Sequence, residues 1–448
     1  MTTADRSVTS IEQNDLAEEA AVFRKITWRI LPLLATCWVV NWIDRINIGF
    51  ARLGFEKSLG VTTLQFGLIV GVYSIGYLLL EVPSNLLMQR IGAKKTLSRI
   101  LFAWGIVTIA TAFARTADQL VVARVLLGAA EAGFFPGALL YLSYWYPSRY
   151  RARATSRFII ANAVAGVIGA PISGLILSRM GGLLHLEGWQ WLFILEGAPP
   201  LILAAAVWLW LSDRPNEAGW LTERERMIVS RALESDNGGA VDRHKGFSQA
   251  VSDPRLYLLA AGFCCAIMCA GNVVQVWAPS IIRNAGTGNL LKIGVFAAVP
   301  WAVAIAVMLM VSFHSDLRRE RRWHFVACAI VVAISLGILP FVAHSSALAV
   351  IALTVMTSAY LSSIAIFWTI PSLYFSPGAR AGALALINTL GQFGALFTPL
   401  LIGWAATKTG NLAIGVSVVG AIVAVGALAV ALAFPKGLLK ESAAAGAA

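Results

Sequence analysis

Six ionisable side chains interrupt long apolar runs of this 448-residue chain: Asp44, Arg45, Glu81, Arg124, Glu131 and Glu196. A charge deep in a membrane-length apolar segment costs at least about 2.5 kcal/mol, so each is a functional candidate by default. Arg124 and Glu131 are separated by two helical turns and share one face. A guanidinium there can grip an oxyanion in a planar fork, and a carboxyl group there can carry a proton. The spacing leaves open whether Glu131 meets Arg124, as a permanent ion pair, or a bound molecule. Asp44 and Arg45 are adjacent, so on a helix they point about 100° apart and at least one faces something else. Glu81, beside Pro83, reads either as a helix-end structural group or as part of the transport path, and Glu196, just before Gly197, Pro199 and Pro200, as a structural group.

Neutral polar residues accompany these charges. Tyr73, Tyr77 and Glu81 fall at i, i+4 and i+8 and form one stripe. Asn162 is a lone amide in its run, and Asn272, Gln275, Trp368, Thr369, Asn388 and Gln392 lie in runs of the second half. Such donors and acceptors suit hydroxyls and carboxylate oxygens, although each could equally make a helix–helix hydrogen bond. Trp42 and Trp368 are packing residues or stacking platforms. The five cysteines all lie in apolar runs, and Cys264, Cys265 and Cys269 have no histidine or carboxylate nearby to complete a metal set. The sequence holds no phosphate loop, metal-histidine motif or nucleophile elbow, so no enzyme and no cofactor are expected.

The elements that must position these residues follow from composition. Apolar residues make up 58% of the chain and charged residues 13%, and mean hydropathy is +0.74. So few charges cannot cover a soluble surface. Twelve runs reach the roughly 20 residues of a spanning helix, near 28–50, 63–86, 96–114, 118–142, 156–178, 190–211, 256–281, 291–313, 323–343, 347–373, 381–404 and 411–434. They are about twice the length of barrel strands and do not alternate. The expected fold is an all-α polytopic membrane protein of twelve transmembrane helices in two six-helix halves.

The net charge of +12 is topological. Arg6, Arg24, Lys25 and Arg29, then Arg90, Lys94, Lys95 and Arg99, then Arg149, Arg151, Arg153 and Arg157, and Arg318, Arg319, Arg321 and Arg322 fall on one side of such a topology. The positive-inside rule places that side, with both termini, in the cytoplasm. Basic residues confined to short juxtamembrane loops exclude a nucleic-acid binder. The acid-rich N-terminal stretch has no signal-peptide core. Expected units are a tail over 1–25, a six-helix bundle over 26–211, a linker over 212–252, a second bundle over 253–434 and a tail over 435–448. Within the linker, Leu221–Leu233 reads as an amphipathic surface helix, and the Gly-rich stretch 236–245 as flexible. RIGAKK (Arg90–Lys95) and SDLRRERR (Ser315–Arg322) follow the second span of each half, a weak internal echo that points to a parallel repeat of the major facilitator type.

WIDRINIGFA (Trp42–Ala51), EVPSNLLMQRIGAKK (Glu81–Lys95), RVLLGAAEAGFFPG (Arg124–Gly137), GWQWLFILEG (Gly188–Gly197), SDRPNEAGWLTERE (Ser212–Glu225), FWTIPSLYF (Phe367–Phe375) and ALINTLGQFGALFTPLLIGW (Ala385–Trp404) together resemble the anion:cation symporter family, a branch of the major facilitator superfamily. That family includes bacterial permeases for sugar acids, tartrate, phthalate and hydroxyphenylacetate, and vesicular glutamate transporters. The resemblance implies proton-coupled uptake of organic anions by alternating access. It assigns Asp44 and Glu131 as protonatable carboxylates, Arg45 as the contact to substrate carboxylate and Arg124 as the arginine near the glutamate. It places Tyr77, Asn162, Trp368, Thr369 and Asn388 on the pocket wall. Gln89 stands where the superfamily usually has Asp, which alters the latch around Arg90, whereas Asp316 keeps the equivalent place in the second half. NVVQVWAP (Asn272–Pro279) lacks an aromatic residue common in relatives, and Asn162 replaces an apolar residue, both favouring a hydroxylated carboxylate.

These readings converge on a secondary transporter in the bacterial inner membrane, a monomer, whose partners are a small organic acid and the lipid bilayer and whose coupling ion is the proton. In it, Arg45, Arg124, Trp42, Tyr77, Asn162, Asn272, Trp368, Thr369 and Asn388 bind substrate, Asp44 and Glu131 couple protons, and Arg90, Asp316 and Glu196 have gating or structural roles. A proton-antiporting exporter of the same fold, for a metabolite or drug, is the alternative.

Overall fold

The computed structural model describes residues 3–237, 248, 250–375 and 377–433. Among these the regular structure is entirely helical. The first half contains α1 (Thr3–Ser58), α2 (Thr63–Ile91), α3 (Ala93–Thr111), α4 (Ala117–Trp145), α5 (Arg149–Arg179) and α6 (Gly188–Trp210). A surface helix α7 (Glu223–Asn237) follows. The second half contains α8 (Pro254–Asn284), α9 (Leu290–Arg318), α10 (Arg322–Val342), α11 (Ser346–Pro371), α12 (Gly382–Thr409) and α13 (Leu412–Ala433). Eleven of these helices are long and apolar enough to cross a membrane. The remaining expected span is α3, whose 19 residues begin with Lys94, Lys95 and Arg99 and so offer a shorter apolar stretch. It lies along α6.

The first span is longer than its apolar run. No glycine or proline before Pro32 stops the helix, so the acidic tail and the span form one rod from Thr3 to Ser58. Several other spans are broken where the sequence permits it. Gly133 takes φ +88° and divides α4 between Glu131 and Phe134, a conformation that suits glycine because it has no Cβ. In α8, two π-helical stretches, Phe263–Met268 and Val273–Trp277, flank Asn272. Such bulges are frequent at functional sites.

Packing repeats between the halves. In the first, α3 lies on α6, α1 on α5 and α2 on α4; in the second, α10 lies on α13, α8 on α12 and α9 on α11. The halves meet along α2 with α12 and α5 with α9. Gly67 and Gly71 of α2 face the backbone of Pro399 and Leu396, and Gly174 and Gly294 face each other, so main chains approach as they do at small-residue membrane interfaces. At the end of the bundle away from the termini, Glu56 accepts hydrogen bonds from Arg52 of α1 (3.1 Å) and from Arg283 of α8. The Arg52 guanidinium lies 4.6 Å from the Phe66 ring centre and 4.9 Å from that of Trp277. The halves are therefore held together at this end.

On the opposite, terminal face, α7 starts with a reciprocal cap. Thr222 N–H donates to Glu225 at 2.8 Å and Glu225 N–H to Thr222 Oγ1 at 3.2 Å. Lys25 and Glu18 of α1 then pair with Glu225 (2.8 Å) and Arg224 (2.6 Å). Helix α7 overlaps the stretch Leu221–Leu233 and is docked on α1 by these pairs. Most of the Gly-rich stretch 236–245 and all of 435–448 lie outside the described residues.

Candidate functional site

A cavity of about 220 Å³ lies between the halves. Helices α1, α2, α4 and α5 bring Trp42, Arg45, Tyr73, Tyr77, Arg124 and Asn162 to its wall, and α8, α11 and α12 bring Asn272, Gln275, Tyr360, Trp368, Asn388 and Gln392. Eight of the nine substrate-binding residues expected from sequence therefore share one wall. The ninth, Thr369, is turned away: its hydroxyl donates to the Ile366 carbonyl at 2.7 Å. The wall is chemically divided, with both arginines on the first half and only uncharged residues on the second.

Arg45 is held by an aromatic cage. Its guanidinium carbon is 5.8, 5.3 and 5.4 Å from the ring centres of Trp42, Tyr73 and Tyr77, within cation–π range. Its Nε donates to Glu131 Oε2 at 3.3 Å, and the side chain keeps 24% of its surface exposed. Glu131 is fully buried and accepts at that same oxygen from Asn41 Nδ2 and Tyr73 Oη, both at 2.7 Å. The sequence left its partner open; the structure pairs it with Arg45 across α1 and α4, and its other oxygen has no hydrogen bond.

Asp44 points away from the cavity, as its 100° offset from Arg45 requires. It is fully buried and accepts from Asn47 Nδ2 (2.8 Å), Trp104 Nε1 (2.8 Å) and Thr108 Oγ1 (3.2 Å). Glu196 is buried behind it and accepts from Ser173 at 2.8 Å, tying α6 to α5. Glu81 does not line the cavity. Arg90 is exposed on the terminal face, and Asp316 pairs with Arg321 within the second half.

Arg124 is a buried charge with unmet donors. It is 4% exposed, lies on the cavity wall, and its Nε and Nη2 make no hydrogen bond. Trp42 Nε1 and Asn162 Oδ1, also on the wall, are likewise buried without a partner. Unmet buried polar groups cost about 1–3 kcal/mol each and more when charged, and here they offer the cavity three N–H donors from Arg124 and Trp42 and one acceptor from Asn162. Three contributors were not singled out from sequence. Tyr360 donates no charge or motif, and its hydroxyl accepts from Gln275 at 3.4 Å. Asn41 and Asn47 flank Asp44 by three residues on either side, a spacing that places amides near both carboxylates and could have been noticed.

Comparisons with known proteins agree with this architecture. The family model described as Major Facilitator Superfamily matches residues 34–399. An Agrobacterium vitis protein provisionally named as a tartrate transporter is 37% identical over 420 residues, covering 93% of this chain and 91% of that one. The metabolite transport protein NicT of Pseudomonas putida, also provisionally named, is 34% identical over 87% of this chain and 89% of its own. A quinolone resistance transporter of Acinetobacter baumannii is 34% identical over 89% and 91%. Among solved structures, a D-xylose-proton symporter superposes with TM-score 0.70 at 16% identity, covering 92% of this chain and 98% of that one. The chain is a multi-pass membrane transporter and belongs to the major facilitator superfamily.

Proposed function

We propose that this transporter is a proton symporter that takes up a small organic carboxylate across the bacterial inner membrane, within the anion:cation symporter branch. The observation that carries the reading is the pairing of two guanidiniums on the cavity wall with buried carboxylates beside them. Arg45 and Arg124 supply the anion subsite, and Trp42, Tyr77, Asn162, Asn272, Trp368 and Asn388 contact hydroxyl and carboxylate oxygens and exclude water. Substrate carboxylate takes over Arg45 as Glu131 accepts a proton. Asp44, one layer deeper, is the second proton carrier. Neutralising the carboxylates lets the loaded carrier reorient without moving net charge through the apolar centre, which is costly. With the termini in the cytoplasm, the end closed by Arg52, Glu56 and Arg283 is the outer one, and the cavity discharges inward.

An exporter has the relative named for quinolone resistance on its side. The cavity of about 220 Å³ speaks against it, since pockets for drug-sized ligands commonly measure about 300–1,000 Å³. The test is uptake of radiolabelled tartrate and sugar acids into proteoliposomes under an imposed inward proton gradient. Glu131→Gln should abolish accumulation above equilibrium while leaving exchange of internal for external substrate, and Arg45→Ala should lose both. Accumulation by Glu131→Gln to wild-type levels would refute the coupling assignment. Wild-type affinity in Arg45→Ala would refute the anion subsite.

A further inference from the structure

Away from the transport cavity, a second hollow of about 580 Å³ opens between residues 20–35 of α1 and the start of α5 on the terminal face. Its floor is aromatic: Phe23 stacks on Tyr150 with ring centres 4.3 Å apart, and Tyr146 closes it, donating to Thr27 at 3.2 Å. Three arginines rim it, Arg24 from α1 and Arg153 and Arg157 from α5. All three are exposed, and among the described residues none has a carboxylate partner. The acidic residues one turn earlier on α1 are engaged elsewhere, Glu18 with Arg224 and Glu19 with Arg149.

We infer that this hollow is a binding site for one anionic phospholipid, with its headgroup phosphate on Arg24, Arg153 and Arg157 and its acyl chains along α5. The arrangement of α5 specifies a lipid over a free anion. Spacings of four, three and eight residues put Arg153, Arg157, Ile160 and Ile168 on one helical stripe, and Ile160 and Ile168 are 46% and 45% exposed. From Arg157 to Ile168 the helix rises about 16 Å, close to one leaflet of a hydrocarbon core about 30 Å thick. Cations at one end and bare aliphatic side chains for a leaflet below match a phospholipid end to end. On α1, Trp28 is 77% exposed beside the same rim, the position in which tryptophan anchors at headgroup level. Basic pockets between membrane helices take up such headgroups. The inference is independent of which substrate the central cavity carries.

The test uses full-length protein in detergent, titrated with dioleoyl phosphatidylglycerol, dioleoyl phosphatidylcholine or inorganic phosphate. Thermal unfolding and native mass spectrometry of retained lipid are the readouts. Phosphatidylglycerol should raise the unfolding temperature and remain bound, whereas phosphatidylcholine and phosphate should do neither. Arg153→Gln/Arg157→Gln should bind phosphatidylglycerol about 30-fold more weakly, or ~2 kcal/mol at 1.4 kcal/mol per decade. Arg153→Lys/Arg157→Lys should retain most of the binding, and Arg179→Gln, at the far end of the same helix, should retain all of it. Equal stabilisation by phosphatidylcholine, full reproduction by phosphate alone, or unchanged phosphatidylglycerol binding in the glutamine variant would overturn the assignment. If the glutamine variant fails to fold, loss of binding in the lysine variant or in Arg179→Gln overturns it equally.

Discussion

Adding a single methyl group at Gly128 tests how α2 and α4 present the cavity wall. An added Cβ at Gly128 would collide with the carbonyl oxygen of Tyr73 and sit 3.0 Å from the Tyr77 nitrogen. Across the same seam, a Cβ at Gly76 would meet the Val125 carbonyl oxygen and stand 2.8 Å from the Ala129 nitrogen. The obstructing atoms are main chain, so no rotamer relieves the contact and the helices must separate. Overpacking of this kind costs about 1–3 kcal/mol, and here the upper end applies because neither partner can bend aside. Separation would also carry Tyr73 and Tyr77 away from Arg45 and stretch the 2.7 Å bond from Tyr73 to Glu131. Gly337 provides the control. It too lies inside a helix, but nothing stands within 4 Å of an added Cβ, so Gly337→Ala should be neutral or stabilising by up to about 1 kcal/mol. Both variants would be compared with wild type by thermal unfolding in detergent and by substrate uptake. Gly128→Ala should unfold at lower temperature and transport poorly, while Gly337→Ala does neither. Equal behaviour of the two variants would refute the claim that main-chain contact between α2 and α4 sets the wall.

Asp44→Asn keeps the size but turns an amide towards the Trp104 and Thr108 donors, so it should cost about 1–3 kcal/mol, seen as a lower unfolding temperature even where uptake is not measured. Glu56→Gln removes the charge shared by Arg52 and Arg283 and should speed thiol labelling of a cysteine introduced at Ser280, which is 1% exposed; unchanged labelling would mean that this ion pair does not hold the halves together. On the terminal face, slight burial pushes the Glu225 carboxyl up, but the Lys25 ammonium and the Thr222 donors outweigh it and hold the group below its ordinary value. A depressed carboxylate contributes stability above its unfolded pKa of about 4.3 and loses it as pH falls through the lower folded value. Amide exchange in α7 should therefore accelerate below about pH 4, and Glu225→Gln should show fast exchange at neutral pH as well.

The class of fold was readable because span length and loop charge are imposed by the bilayer itself, and twelve runs of adequate length leave few arrangements. The shared wall was readable too, since residues such as Arg45, Arg124 and Asn388 are conspicuous against an apolar background. What escaped was direction within a turn of helix. Asp44 and Arg45 are neighbours, yet one is sealed against Trp104 while the other enters the cavity, and only the packing of α3 against α1 decides which. Thr369 does not line the wall, and its hydroxyl bonds back to the Ile366 carbonyl of its own helix, a local competition common for threonine. The Glu131 partners depended on α1 and α2 bringing Asn41, Arg45 and Tyr73 to α4, a tertiary coincidence that no spacing within α4 encodes.

The unbroken first helix turns three separate contacts into one lever. Lys25, Arg45 and Glu56 belong to a single rod, and at 1.5 Å per residue Lys25 stands about 28 Å and Glu56 about 18 Å from Asp44. If the rod pivots at Asp44, where Trp104 and Thr108 of α3 grip it, a tilt of ~10° moves the two ends by about 5 Å and 3 Å in opposite directions. Arg45, one residue from the pivot, hardly shifts. A rearrangement that pulls Glu56 away from Arg283 must then press on the clamp between α1 and α7 at the other face, so the two faces are geared to each other through the same piece of backbone while the anion subsite stays still between them.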